Sequence, residues 1–420
     1  MQKIKNIEAL RFLFILSVIA CHLDQGITNV VENPIYKNFC AFTHWSWLPV
    51  DFFFIISGFF LFANIDYSQG FLNFAIKKLK RLMPTVLGVL LITFIVSLLT
   101  PFNWIKHENL FTILNIQNVG LTLQNGSIPP SWFVSSLFWG MCFYFYLGKI
   151  FSKNVFNFVT ACLIFVCYSI FVHVPNSWNI MNYCYFINMG MVRALAGIGL
   201  GYFVRMLYND YSEVINLQFN SLKSKIIFSA LEIYLFFTLF YYLCFHASSY
   251  NNVLFEVIIF LLLFICFLIH KGILSKLLEN NLSVFLGKFT YSIFLSHYLI
   301  KDLWNIYIMN KCQHFVIYHP IMNIVSIFVV SIIVGILTYY LIEKPSAKFL
   351  RNKLNANDNA NFSGGVTPIR LCNCIDIICG LIPTSELTRI IKVSISFDRN
   401  FLVRRLLQLK MQFRTQEVNG

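Results

Sequence analysis

The chain has 420 residues, of which 58% are apolar and 12% charged, with a formal net charge of +14. Phe alone occurs 46 times, and no water-soluble interior hides that much apolar side chain, so lipid must be the solvent for much of the surface. The basic balance does not indicate nucleic acid: Lys and Arg stand in short clusters between apolar runs, the pattern of cytoplasmic membrane loops.

A hydrocarbon core requires roughly 20 apolar residues per helix. Lys3 and Lys5 precede an apolar run from Ala9 to Cys21 that could be taken for a secretion signal. Arg11 inside the run, the lack of a small-residue cleavage site and the similar segments downstream make it a retained first helix. The predicted spans are Glu8–Asp24, Trp47–Asn64, Met83–Thr100, Ser131–Leu147, Val155–His173, Met189–Leu207, Ile226–His246, Val253–His270, Val284–Asn305 and Pro320–Glu343.

With the N-terminus inside, the inner loops hold Lys77, Lys78, Lys80 and Arg81, then Lys149 and Lys153, Arg205, Lys223 and Lys225, Lys271 and Lys276, and finally Lys344, Lys348 and Arg351. The opposite loops hold little beyond Lys37, Lys106 and Lys311, and 176–188 carries no charge. This asymmetry predicts an all-α, polytopic transmembrane bundle of about ten helices with both termini cytoplasmic.

An integral membrane domain over residues 1–352 is thus followed by a tail, 353–420. Leu354–Thr367 reads as an Asn- and Gly-rich linker. Pro368–Gly420 is basic, with Arg399, Arg404, Arg405, Lys410 and Arg414, and reads either as an amphipathic segment on the anionic inner leaflet or as a disordered tail. Cys372 and Cys374 are too close and too solitary for a zinc site, and no metal is predicted. No internal repeat is apparent, which disfavours the duplicated architecture of many transporters.

Ionisable groups inside membrane helices are expensive, and each needs a partner or a task. Arg11 and His22 are eleven residues apart, almost three whole turns, so they share a face about 16 Å apart along the axis. Glu8 can pair with Arg11 at i, i+3. Alternatively Arg11 only snorkels to the inner surface. Helix direction then places His22, Asp51, Arg193 and His297, from four different helices, at a similar depth on the outer side of the midplane. If they meet, a base, a carboxylate and a cation share one dehydrated pocket. Asp51 is favoured over Asp24 to orient His22, because a separation of two residues turns Asp24 away; otherwise Asp51 only caps the second helix. Lys77, Lys80 and Arg81 fall on one face if helical, which suits a phosphate-bearing ligand, although a plain positive-inside anchor has the same composition.

These residues carry a resemblance. Ile7-Glu8-Ala9-Leu10-Arg11 with His22, the block Val50–Phe59 around Asp51, and Lys77-Lys78-Leu79-Lys80-Arg81-Leu82-Met83-Pro84 resemble, in order, motifs of the membrane-bound acyltransferase-3 family. Arg193 with Gly197 and Gly201, the block Leu286–His297 and Ile342-Glu343-Lys344-Pro345 continue the series, so the resemblance runs from about residue 5 to 352. Two features depart from it. The Ser131–Leu137 block lacks the glutamates found in many members, and the tail after 353 has no counterpart.

The resemblance implies transfer of an acyl group from cytoplasmic acyl-CoA to a hydroxyl of a cell-envelope carbohydrate, a polysaccharide or lipid-linked glycan, by a multi-pass protein of the inner (plasma) membrane. Acetyl is the implied group, with succinyl as the alternative. His22, with Arg11 and Asp51, is implied as catalytic, either as general base or as first acceptor of the acyl group. Lys77, Lys78, Lys80 and Arg81 would hold the coenzyme's phosphates, and Arg193 or Ser292 would steady the oxyanion. The lipid bilayer is the remaining partner. A transporter or flippase for an anionic or glycan-linked substrate uses similar buried charges and is the rival reading. Trp45, Trp47 and Trp104 are placed either to anchor the interface or to stack on sugar rings.

Overall fold

The computed structural model describes residues 4–27, 33–43, 46–100, 108–119, 127–174, 180, 182–184, 187–243, 252–309 and 311–349. The chain divides into two compact units, Met1–Leu350 and Arg351–Gly420; the described residues lie in the first, and the predicted linker and basic tail lie outside them.

Helix α1 runs from Lys5 to Ile27 without a break. It is followed by α2 (Pro34–Thr43), α3 (Pro49–Ala63), α4 (Phe71–Leu99), α5 (Asn109–Ile113), α6 (Ser131–Ile150) and α7 (Lys153–His173). A two-stranded antiparallel hairpin, β1 (Tyr183–Cys184) and β2 (Ile187–Asn188), leads into α8 (Met189–Gln218). Then come α9 (Leu222–Tyr241), α10 (Asn252–Ile269), α11 (Ile273–Leu277), α12 (Asn281–Gly287) and α13 (Thr290–Trp304). A π-helical turn at Asn305–Met309, α14 (Gln313–Tyr318), α15 (Pro320–Thr338) and a second π-helical turn at Tyr339–Glu343 close the described chain.

Among the described residues seven helices are long and apolar enough to cross a membrane, and Pro49–Ala63 and Leu254–Ile269 are shorter apolar helices. Large apolar side chains such as Phe158, Phe165, Phe237 and Leu98 stand on the outside, which is stable only where the surroundings are themselves apolar. The predicted ninth span, Val284–Asn305, is not one helix: it breaks between α12 and α13, at Lys288 and Phe289. Likewise α4 begins at Phe71, twelve residues before the predicted Met83, because the basic stretch is itself helical and continues through Pro84 into the apolar part.

An aromatic seam joins α1, α3 and α10: Phe14 lies 4.6 Å from Phe52 and 5.3 Å from Phe260 between ring centres, and Phe52 lies 5.7 Å from Phe264. The approach of α3 to α8 is closer still. Arg193, Gly197 and Gly201 recur every four residues and therefore share one face of α8. A methyl group on Gly201 would strike the Ile55 carbonyl oxygen, one on Gly197 the Phe54 Cβ, and one on Gly58 the Ile198 backbone. Small residues at this spacing let two membrane helices touch through their backbones. Gly201→Val is expected to cost about 1–3 kcal/mol by overpacking, read as a lower melting temperature in detergent. Gly70→Ala, whose nearest neighbour to an added methyl is 4.0 Å away, should leave melting unchanged.

Candidate functional site

The unbroken α1 keeps Arg11 and His22 on one face, about 16 Å apart along the axis. At the far end of that face, the half-buried His22 ring lies 5.2 Å from the ring of His297 at 31°, and Tyr298 meets it edge-on at 5.5 Å. His297 is buried, and its Nδ1 lies 3.2 Å from the Ile293 carbonyl oxygen. A carbonyl only accepts, so the neutral ring carries its proton on Nδ1 and a lone pair on Nε2. One turn on, Lys301 is buried with its Nζ 3.6 Å from the Tyr298 ring centre and 3.3 Å from Asp302. A hydrogen-bonded knot braces this end of α13: Trp304 donates to Asn323 at 2.8 Å, Asn323 donates to the Tyr36 hydroxyl at 3.0 Å, and Tyr36 donates to the Val316 carbonyl at 2.7 Å.

Asp51 sits in the first turn of α3 and is buried, as is Arg193 in α8. Nε and Nη2 of Arg193 donate to the two Asp51 carboxylate oxygens at 2.9 and 3.0 Å, a bidentate pair. The guanidinium also lies 4.8 Å from the Trp47 ring centre and 5.5 Å from that of Trp132, so aromatic faces enclose the cation.

The start of α6, which carries Trp132, is held by an amide-rich turn that packs against it. The Asn115 carbonyl accepts from Ser135 at 3.0 Å and from Trp139 at 2.8 Å, Gln117 donates to the Ser131 carbonyl at 2.8 Å, and Asn118 donates to Ser136. The polar groups packed on the start of α6 are thus neutral amides and hydroxyls.

The four groups predicted at one depth are therefore arranged as two pairs, His22 with His297 and Asp51 with Arg193. Phe294 and Phe133 stand between them: His297 is 6.1 Å from Phe294, Phe294 is 5.3 Å from Phe133, and Phe133 is 6.2 Å from Trp132. The expected orientation of His22 by Asp51 is not what the geometry gives, since Arg193 engages both Asp51 oxygens. Nor does Ser292 face the histidines. It lies five residues before His297 and donates to Glu343 at 2.5 Å. Trp47 turns inward onto Arg193, whereas Trp45 and Trp104 lie outside the described residues.

At the opposite end of α1, Arg11 Nη1 donates to Glu8 at 3.0 Å, with the Arg11 side chain 28% exposed. Glu8 is wedged against Gly287, where an added methyl would strike it. Four residues further on, Tyr291 donates to the Leu82 carbonyl at 2.7 Å, next to Arg81. Arg11 and the basic stretch consequently belong to the same end of the bundle. Because α4 is helical there, Lys77, Lys80 and Arg81 do share a face, while Lys78 turns back over the Phe74 ring at 5.1 Å.

Sequence reasoning passed over Tyr298, Lys301, Trp132 and the buried Glu256 of α10. A lone glutamate in an otherwise apolar run was the available signal for the last of these. Among the described residues, no three His, Cys, Asp or Glu side chains are grouped to hold a metal ion.

A family model for an acyltransferase domain, acyltransferase-3, matches residues 4–340. No curated protein matches, and no solved structure does.

Proposed function

The chain belongs to the acyltransferase-3 family and is a multi-pass membrane acyltransferase, and from that premise we propose that it transfers an acyl group, acetyl in the first instance, from cytoplasmic acyl-CoA to a hydroxyl of a cell-envelope carbohydrate. The proposal includes ten spans in the plasma membrane with both termini cytoplasmic, so that the Arg11 end faces the cytoplasm. The acceptor is a polysaccharide or a lipid-linked glycan.

The observation that carries this reading is the layout of α1. One helix face holds a cation at the end that also bears the basic stretch, and a histidine about 16 Å away among His297 and Tyr298. Lys77, Lys80 and Arg81, with Lys78 behind them, bind the anionic end of the coenzyme, and its extended arm runs past Arg11 toward His22. Neutral His22 accepts the proton of the acceptor hydroxyl as its oxygen bonds to the thioester carbon. The C–S bond then breaks, and the proton passes from the imidazolium to the departing thiolate, giving an ester and free coenzyme thiol. The Asp51–Arg193 pair fixes α3 against α8 beside this centre.

The test is thiol release from acetyl-CoA by purified protein in detergent, with and without a crude envelope glycan fraction. Transfer needs no second compartment whereas transport does, so absence of thiol release from folded wild type, across several acyl donors, would refute the proposal. In the same assay, replacing Lys77, Lys80 and Arg81 together by Ala should raise the KM for acyl-CoA by about tenfold or more, since losing even one hydrogen bond to a charged group costs about 1.5–3 kcal/mol. The rate at saturating donor should change little.

A further inference from the structure

Glu256 is fully buried in α10, and neither of its carboxyl oxygens has a hydrogen-bond partner among the described residues. Its place relative to the site follows from how α10 lies on α1. Asn6 donates to the Phe267 carbonyl at 2.7 Å, and Phe14 meets Phe260 at 5.3 Å, so the two helices run antiparallel in register. Continuing that register brings Glu256 level with Val18, one turn short of His22, or about 6 Å along the axis.

Glu256, Phe260, Phe264 and Phe267 lie at i, i+4, i+8 and i+11, one face of α10. That face is turned to Phe14 of α1 and to Phe52 of α3, the residue next to Asp51. Arg193 engages both oxygens of Asp51, whereas among the described residues both Glu256 oxygens are without a hydrogen-bond partner.

A buried carboxyl without hydrogen bonds is destabilising, and in a membrane helix it marks a place where a ligand supplies what the fold does not. We propose that Glu256 is a binding residue for the acceptor, its oxygens taking hydrogen bonds from carbohydrate hydroxyls presented to His22. The ligand has to offer hydrogen-bond donors to these oxygens, which a sugar hydroxyl does and the phosphate end of the coenzyme, an acceptor, does not. This assignment rests on the acyl-transfer reading and deepens it, giving the acceptor a place on α10 about one helical turn from the level of His22.

The experiment compares wild type, Glu256→Gln and Glu256→Leu by thermal melting in detergent, alone, with a neutral oligosaccharide fraction released from the cell envelope, and with acetyl-CoA. Wild type should melt several degrees higher with the oligosaccharides. Glu256→Leu should melt higher than wild type when alone, lose the oligosaccharide shift and keep the acetyl-CoA shift. Glu256→Gln, which preserves shape and an acceptor oxygen, should keep part of the oligosaccharide shift. Four results overturn the assignment: no oligosaccharide shift in wild type, an unchanged shift in Glu256→Leu, loss of the acetyl-CoA shift instead, or a lower melting temperature in both variants alone. Failure of thiol release from acetyl-CoA overturns the reading beneath it, and that is a separate measurement.

Discussion

Asp51→Ala is expected to be among the most destabilising single substitutions in the protein, by about 3–5 kcal/mol, because it leaves the Arg193 charge buried without its bidentate partner. Arg193→Met should be of similar size, since it strands the carboxylate. The double variant Asp51→Ala with Arg193→Met should lose less than the sum of the two, because the pair's desolvation cost disappears with the pair. Melting of the four proteins in one detergent checks this as a double-mutant cycle. Strict additivity would mean that the pair does not act as a unit. The same comparison separates fold from chemistry: if Asp51 and Arg193 serve to lock α3 on α8, lost transfer should follow lost stability across the series.

His22→Ala should behave in the opposite way. The ring is only half-buried and lies 5.2 and 5.5 Å from those of His297 and Tyr298, and truncation of a partly exposed side chain usually costs little stability. Membrane insertion and melting should therefore stay close to wild type. The transfer rate should fall by about 10²–10⁴, the usual contribution of a positioned general base. A His22→Ala protein that melts normally and transfers at the wild-type rate would remove His22 from the proposed centre. One that no longer folds would make His22 a packing residue first.

The membrane helices were legible in the sequence because a hydrocarbon solvent demands long apolar runs and leaves little room for anything else. The same logic hid the start of α4. Counting Lys77 to Arg81 as loop was natural, yet four basic residues extend a helix readily once their charged heads reach water. It also hid the break in the ninth span, since Lys288 and Phe289 sit in a run whose average polarity is unremarkable for a helix. On the site, the depth of His22, Asp51, Arg193 and His297 could be worked out from helix direction, but the pairing could not. Asp51 and Arg193 are 142 positions apart, and which carboxylate a cation chooses depends on helix rotation. The spacing Arg193, Gly197, Gly201 contained the missing information: it puts the cation and the close-contact residues on one face, so the helix that the glycines touch supplies the counter-ion. Glu256 escaped notice for a simpler reason, having no charged neighbour in sequence to suggest a cluster.

The central claim is tested most directly by following the acyl group itself. Acetyl-CoA labelled in its acetyl group is supplied to proteoliposomes containing wild type or His22→Ala, with a crude envelope glycan fraction as acceptor. The account predicts label in the glycan as an ester released by mild base, formed by wild type and lost with His22. Well-folded wild type that leaves acetyl-CoA and other acyl donors intact with every acceptor offered would contradict it.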